Sequence, residues 1–196
     1  MPSNRVTATP ESEKEQAITS AALYLFAENG FDATAVPRIA DRAGVGAGTI
    51  YRYFESKENL LNTMYRHWKT VLHDYLREGF PEQEAAEGRF RHLFRALVRF
   101  EADHPLAFAF LELHYHTPHL DATSLEMERE LHGVLYAFLD EAIRQGAIKK
   151  LPNEAIIALV FGSFGGLVKA RRAGQLRFQP KLLREIEDSC WAAIRA

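Results

Sequence analysis

A chain of 196 residues, 47% of them hydrophobic, is long enough for one sizeable domain or two small ones sharing a core. Its formal net charge of -2 excludes a protein that is basic overall, so any nucleic-acid surface has to be local. The single cysteine, Cys190, excludes an internal disulfide framework and suits a reducing compartment.

The opening stretch MPSNRVTATPESEKEQ is polar and lacks the apolar run of a signal peptide. Over residues 12–29, Ala17, Ile18, Ala21, Ala22, Leu25 and Phe26 share one helical face, with Gly30 as the stop. Thr34 is placed to cap a short second helix in which Val36, Ile39, Ala40 and Ala43 line up, and Pro37 is tolerated there because it sits in the first turn. Gly44 ends that helix, and a third, very short one runs to Phe54. Ser56 then caps a longer helix through Leu60, Leu61, Met64, Trp68 and Leu72.

After a polar, turn-like stretch at residues 79–88, a helix carrying Phe90, Leu93, Phe94, Leu97 and Phe100 stops at His104-Pro105. A short aromatic helix over residues 106–115 follows, closed by Pro118. The spacing predicts a long helix over residues 123–145 with Leu131, Val134, Leu135, Phe138, Leu139 and Ile143 inward. Asn153 is the expected cap of the next helix, which reaches Gly174, and Pro180 opens the last one. The most apolar segment, residues 155–168, is shorter than a membrane span and contains Gly162, Gly165 and Gly166. No strand-period run, repeat or low-complexity segment occurs. The expectation is an all-α, soluble, cytoplasmic protein with no membrane partner.

The stretch GVGAGTIYRYFESKENLL, residues 44–61, carries the chemistry. With Gly46 as cap and a helix from Ala47 to Tyr53, Ile50 and Phe54 share an inner face that Val45 joins against Ile39 and Ala40. Gly48, Thr49, Arg52 and Tyr53 then face outward. Two helices joined by a short glycine-containing turn, the second polar on its outer face, form a helix-turn-helix sized for the major groove. Gly48 permits close approach, and the N-terminal N–H groups and dipole of that second helix attract a phosphate. Thr49 and the hydroxyls of Tyr51 and Tyr53 can donate to phosphates, and Arg52 can grip a guanine edge. Lys57, in a first helical turn, opposes the helix dipole, which an anionic partner in front of it would offset. Arg38, Arg42 and Arg52 add local positive charge, and Arg5 could supply a contact from the N-terminal arm.

Residues 30–61 also resemble the N-terminal signature of the TetR family of bacterial transcriptional regulators. The likeness rests on Gly30-Phe31, Thr34, Ile39-Ala40, Ala43-Gly44-Val45, Gly48-Thr49, Tyr51, Phe54 and Ser56-Lys57-Glu58. It implies that Gly48, Thr49, Tyr51, Arg52, Tyr53 and Lys57 contact DNA, with Arg38 nearby, and that the later helices form an effector pocket and a dimer interface. Two positions depart from the family pattern. Gly46 stands where Ser or Thr is usual, and Ala47 stands where many members carry a polar side chain.

The aromatics of residues 90–164 suit either a core or an apolar cavity, and Phe94, Leu97, Leu111, Tyr115, Leu135 and Phe138 are the candidate effector-lining residues. Glu112, His116 and His119 have a spacing compatible with a metal, but Pro118 interrupts the helix and no cysteine is near, so polar lining or surface histidines fit better. The small residues Ala158, Gly162, Gly166 and Ala170 form a stripe that allows close helix approach, and with the last helix they suggest a four-helix homodimer interface. No Ser/His/Asp set is apparent, so neither an enzyme nor a cofactor is expected. The expected organisation is a DNA-binding domain at residues 1–55 and an effector and dimerisation domain at residues 56–196. The function expected is a ligand-responsive repressor of a palindromic double-stranded DNA operator. A helical adaptor whose head binds protein, or an activator of the same fold, are the alternatives.

Overall fold

The computed structural model describes residues 10–112, 114 and 116–196, so Arg5 and Tyr115 lie outside the described residues. In chain order the helices are α1 Pro10–Asn29, α2 Val36–Ala43, α3 Ala47–Tyr53, α4 Lys57–Arg77, α5 Ala86–Asp103, α6 Pro105–Glu112, α7 Ala122–Arg144, α8 Asn153–Ile157, α9 Ser163–Arg172 and α10 Pro180–Ile194. A 3-10 turn, Thr117–His119, precedes α7, and a π-helical turn, Ala158–Gly162, joins α8 to α9. Among the described residues the only β pairing is an isolated antiparallel bridge between Ile148 and Arg195. The fold is all-α.

The chain divides into two compact units, Met1–Lys69 with Pro105–Ser124 and Thr70–His104 with Leu125–Ala196. Helix α4 is continuous through the division, and α5 leads directly into α6 at His104-Pro105.

In the first unit, Ile18, Ala22, Phe26, Ile39, Ile50, Leu60 and Leu61 are buried to 2% exposure or less. Helix α6 packs on α1, with the rings of Phe26 and Phe110 stacked at 6.2 Å. Most polar groups near this packing are paired, although Nδ1 of buried His116 has no partner among the described residues. Buried Asn62 donates to the carbonyls of Glu58 and His119, both at 2.9 Å, and accepts the Asp121 N–H. His114 bonds the Ala27 carbonyl through Nε2, and His116 donates from Nε2 to the Phe110 carbonyl. Burial holds the imidazole of His116 down at about 4. These two histidines are therefore used as backbone partners, and among the described residues no cluster of His, Cys, Asp and Glu has a metal-binding arrangement.

In the second unit, Phe94, Leu97, Phe100, Leu139, Ala142, Ile148, Phe164 and Ile194 form the core. Phe90 meets Trp191 at 5.3 Å and Phe94 meets Phe164 at 5.7 Å. Buried Glu187 of α10 accepts from Arg91 at 2.8 Å and from Arg95 through two bonds at 2.9 Å, tying α10 to α5. A guanidinium matched to a carboxylate in this bidentate way is among the stronger side-chain pairs. The C-terminus closes onto the loop after α7 by bonds from Lys149 N to Ile194 O and from Ala196 N to Ala147 O.

Several local expectations are corrected. Thr34 does not cap α2: its hydroxyl donates to the carbonyls of Gly30 and Leu25, and Ala35 takes the cap position with extended backbone. Asn153 is the first residue of α8 rather than its cap, because its amide donates to Asp140. Val134, expected inward, is 65% exposed. The aromatic helix ends at Glu112. The apolar segment is also longer than expected, since α8, the π turn and α9 form one helical path, Asn153–Arg172, long and apolar enough to cross a membrane by length and composition.

Candidate nucleic-acid interface

Helix α2 ends at Gly44, whose φ of 68° is the left-handed conformation that favours glycine, and its N–H bonds back to the carbonyls of Ala40 and Asp41. Val45 N then reaches the Ala40 carbonyl at 3.0 Å, and the chain enters α3 through extended Gly46. This tight turn leaves α3 lying on the Ile39–Ala40 face, with Ile50 and Phe54 buried beneath it. The inner face is as the apolar spacing predicts, while of the residues expected outward Gly48 and Arg52 are exposed and Thr49 and Tyr53 half-buried.

The outward face holds the residues expected to read DNA. Gly48 is exposed, and a Cβ built there would meet no atom within 4 Å. Tyr51 is 55% exposed, Thr49 and Tyr53 are half-buried, and Arg52 has a side chain 71% exposed. Arg38 is exposed on α2. Arg42 lies 3.4 Å from the centroid of Tyr24, a cation–π contact that holds its guanidinium beside α1. An acidic neighbour tempers this surface: Glu11 comes within 4.0 Å of Arg52.

Lys57 has a structural role that the sequence does not disclose. Its ammonium donates to the carbonyls of Phe31 at 3.0 Å and Thr34 at 3.1 Å, and sits 4.0 Å from the centre of the Phe31 ring. The lysine at the start of α4 thus has acceptors within its own unit and does not require an external anion. Ser56 caps α4 as expected, accepting the Asn59 N–H. No pattern within α4 could have revealed the partners of Lys57, because they come from the α1–α2 loop.

The family models match almost the whole chain. Bacterial regulatory proteins, tetR family, covers residues 18–64, and the tetracyclin repressor-like C-terminal domain covers residues 65–196. The chain belongs to the TetR family. A fatty acid metabolism regulator protein of Bacillus subtilis is 30% identical over 153 residues, 76% of this chain and 79% of that one. The HTH-type transcriptional regulator RutR of Escherichia coli is 29% identical over 163 residues, 78% of this chain and 72% of the other. A TetR family transcription regulator from Marinobacter aquaeolei shares the fold with a TM-score of 0.80 at 23% identity, covering 94% of this chain and 97% of that one. The protein is a ligand-responsive, DNA-binding transcriptional regulator of the TetR family.

Two concavities lie in the second unit of this TetR-family regulator. The first is a cleft between α5, α7 and the α8–π segment, lined by Phe94, Leu97, Leu135 and Phe138 among other wholly apolar side chains. Four of the candidate effector-lining residues are therefore brought together. Leu111 is not among them, since α6 belongs to the first unit. Sequence reasoning missed Phe90, Leu93 and Leu139, which read as ordinary inward positions of their helices, as well as Ile156, Val160 and Ile194 from the last helical segments. The free space is only about 30 Å³, room for roughly one water, so a ligand entering here has to spread the walls. The second is an open groove between α9 and α10, lined by Leu159, Ser163, Leu167, Leu182, Ile186 and Cys190 among others.

Proposed function

We propose that the protein is a repressor that binds an inverted-repeat operator as a homodimer, and that a small apolar molecule entering the α5–α7 cleft releases it. The outward face of α3 carries this reading. Gly48, Thr49, Tyr51, Arg52 and Tyr53 serve no core, and they present close approach, hydroxyl donors and one guanidinium to a major groove. In this reading Arg52 reads a base edge, while Arg38, Thr49, Tyr51 and Tyr53 hold phosphates. Lys57, anchored to the α1–α2 loop, offers its remaining donor to the backbone.

The second copy is read onto the last two helical segments. Ala158, Leu159, Gly162, Ser163 and Gly166 are exposed along one helical path, an arrangement costly in water but suited to close packing against a symmetry mate. This accounts for the apolar run without a membrane, and the reading is of a cytoplasmic, non-enzymatic regulator. The wholly hydrocarbon cleft supports an apolar effector, and the name of the Bacillus subtilis relative, a regulator of fatty acid metabolism, points the same way.

Selection of bound duplexes from a random DNA library at low salt tests the core of the proposal. An enriched inverted repeat is expected, with affinity falling steeply as salt rises, because phosphate contacts release counterions. Recovery of no sequence by a folded dimer would overturn it in favour of a head that binds protein.

A further inference from the structure

The α5–α7 cleft has no polar atom to orient a ligand among the side chains that line it: Phe90, Leu93, Phe94, Leu97, Leu135 and Phe138 are typical of all of them. A ligand with polar groups along its length would lose hydrogen bonds to water on entry and regain none. The α5 wall runs from Phe90 to Leu97, about 10 Å of helix, which matches a hydrocarbon chain of medium length.

Arg89 precedes Phe90 on α5 and is not itself one of the side chains that line the cleft, but it reaches the ring of Phe138, which does. Arg89 is 8% exposed, with a side chain 10% exposed, and its guanidinium carbon lies 5.0 Å from the centre of that ring. Nη1 donates to Glu141 Oε2 at 2.8 Å. Nε is fully buried and has no acceptor among the described residues. A buried charged donor left without an acceptor is destabilising, and the side of a guanidinium that carries Nε is the side that grips carboxylates bidentately. The partner Glu141 is half-exposed and is also held by Gln145; it takes Nη1 of the guanidinium, while Nε is left without an acceptor among the described residues.

We propose that the effector is an amphiphile with a hydrocarbon chain and a carboxylate head, the chain spreading the walls of the α5–α7 cleft, whose free space is about 30 Å³ in this structure, and the carboxylate accepting from Arg89 Nε. The proposal rests on the reading of this cleft as the effector site. The carboxylate joins Glu141 on the same guanidinium rather than replacing it, so the charge of Glu141 opposes the ligand. Arg89 therefore selects the head group, while the aromatic and aliphatic walls supply chain affinity that is indifferent to it.

Calorimetric titration of the full-length protein with decanoate and with 1-decanol, each below its aggregation limit, tests this directly. The wild type should bind decanoate about tenfold or more tightly than 1-decanol, the range of a hydrogen bond to a charged group. Arg89→Gln should abolish that preference and keep the affinity for 1-decanol. Glu141→Gln should tighten decanoate binding and leave 1-decanol unchanged, and it decides the matter if Arg89→Gln does not fold. Leu97→Trp, which fills the cleft, should abolish binding of both. Equal affinities in the wild type, a preference that survives Arg89→Gln, or decanoate affinity unchanged in Glu141→Gln would overturn the carboxylate assignment while leaving the effector reading intact. Binding of neither molecule would overturn both.

Discussion

Gly48 shows how a single residue can point outside its own chain. It lies within α3 with nothing near its missing side chain, and alanine there would be favoured by about 0.5–1 kcal/mol through backbone entropy alone. Gly44 is different, since its left-handed φ explains the glycine without any partner. Gly48→Ala is accordingly expected to raise stability in urea denaturation by about 0.5–1 kcal/mol. If the proposed interface holds, the same variant should weaken operator binding, because the added methyl would lie on the face read as meeting DNA. A variant that is stabilised and binds as well as the wild type would show that Gly48 marks no close contact. Both glycines look alike in the sequence, and only the backbone angle and the surrounding space separate their roles.

Among the elements, α4 ties the DNA-binding head to the rest of the chain by simple continuity, and its first turn is where that head is secured. Ser56 supplies the cap, and Lys57 crosses to the carbonyls of Phe31 and Thr34 over the Phe31 ring. A lysine here opposes the helix dipole, so its presence needs a compensating partner, and two carbonyls within its own unit provide one. Lys57→Ala should destabilise the protein by about 1–3 kcal/mol, since two buried or half-buried carbonyls lose a charged donor. Thermal or urea denaturation measures this, and an unchanged stability would mean that the bonds to the loop contribute nothing. Any loss of operator affinity in that variant has to be compared with its loss of stability before it is assigned to DNA contact. The helix positions themselves were legible from apolar spacing and from Gly30, Gly44, Pro105 and Gly146. The caps at Thr34 and Asn153 were not, because a side chain that fits a cap equally fits an acceptor brought near by folding.

For the molecule as a whole, the exposed small and apolar stripe along Asn153–Arg172 calls for a cover. Leu159 is 43% exposed and lines the groove that α9 forms with α10. A charge placed there leaves the single chain unharmed but cannot be buried between two copies without a partner. Leu159→Glu is expected to sediment as a monomer at micromolar concentration and to lose most of its affinity for an inverted repeat while keeping its helical content. A variant that stays dimeric would move the dimer interface away from this groove. In the proposed dimer the same stripe accounts for the length and apolarity of this helical path, since a helix that meets its own copy exposes apolar surface as a membrane helix does.

The fold class and the inner face of α3 followed from the order of residues, because helical periodicity, glycine stops and proline starts are local and act through backbone geometry. So did the outward placement of Gly48 and Arg52, which needs only the inward pull of Ile50 and Phe54, whereas Thr49 and Tyr53, also expected outward, are half-buried and the exposed ring is that of Tyr51. The partners of Lys57, the turn of Val134 towards solvent, and the gathering of Phe94, Leu97, Leu135 and Phe138 around one cleft with Arg89 beside it were decided only in three dimensions. Each depends on groups distant in the chain meeting in space, and no local period encodes which carbonyl or ring will be there.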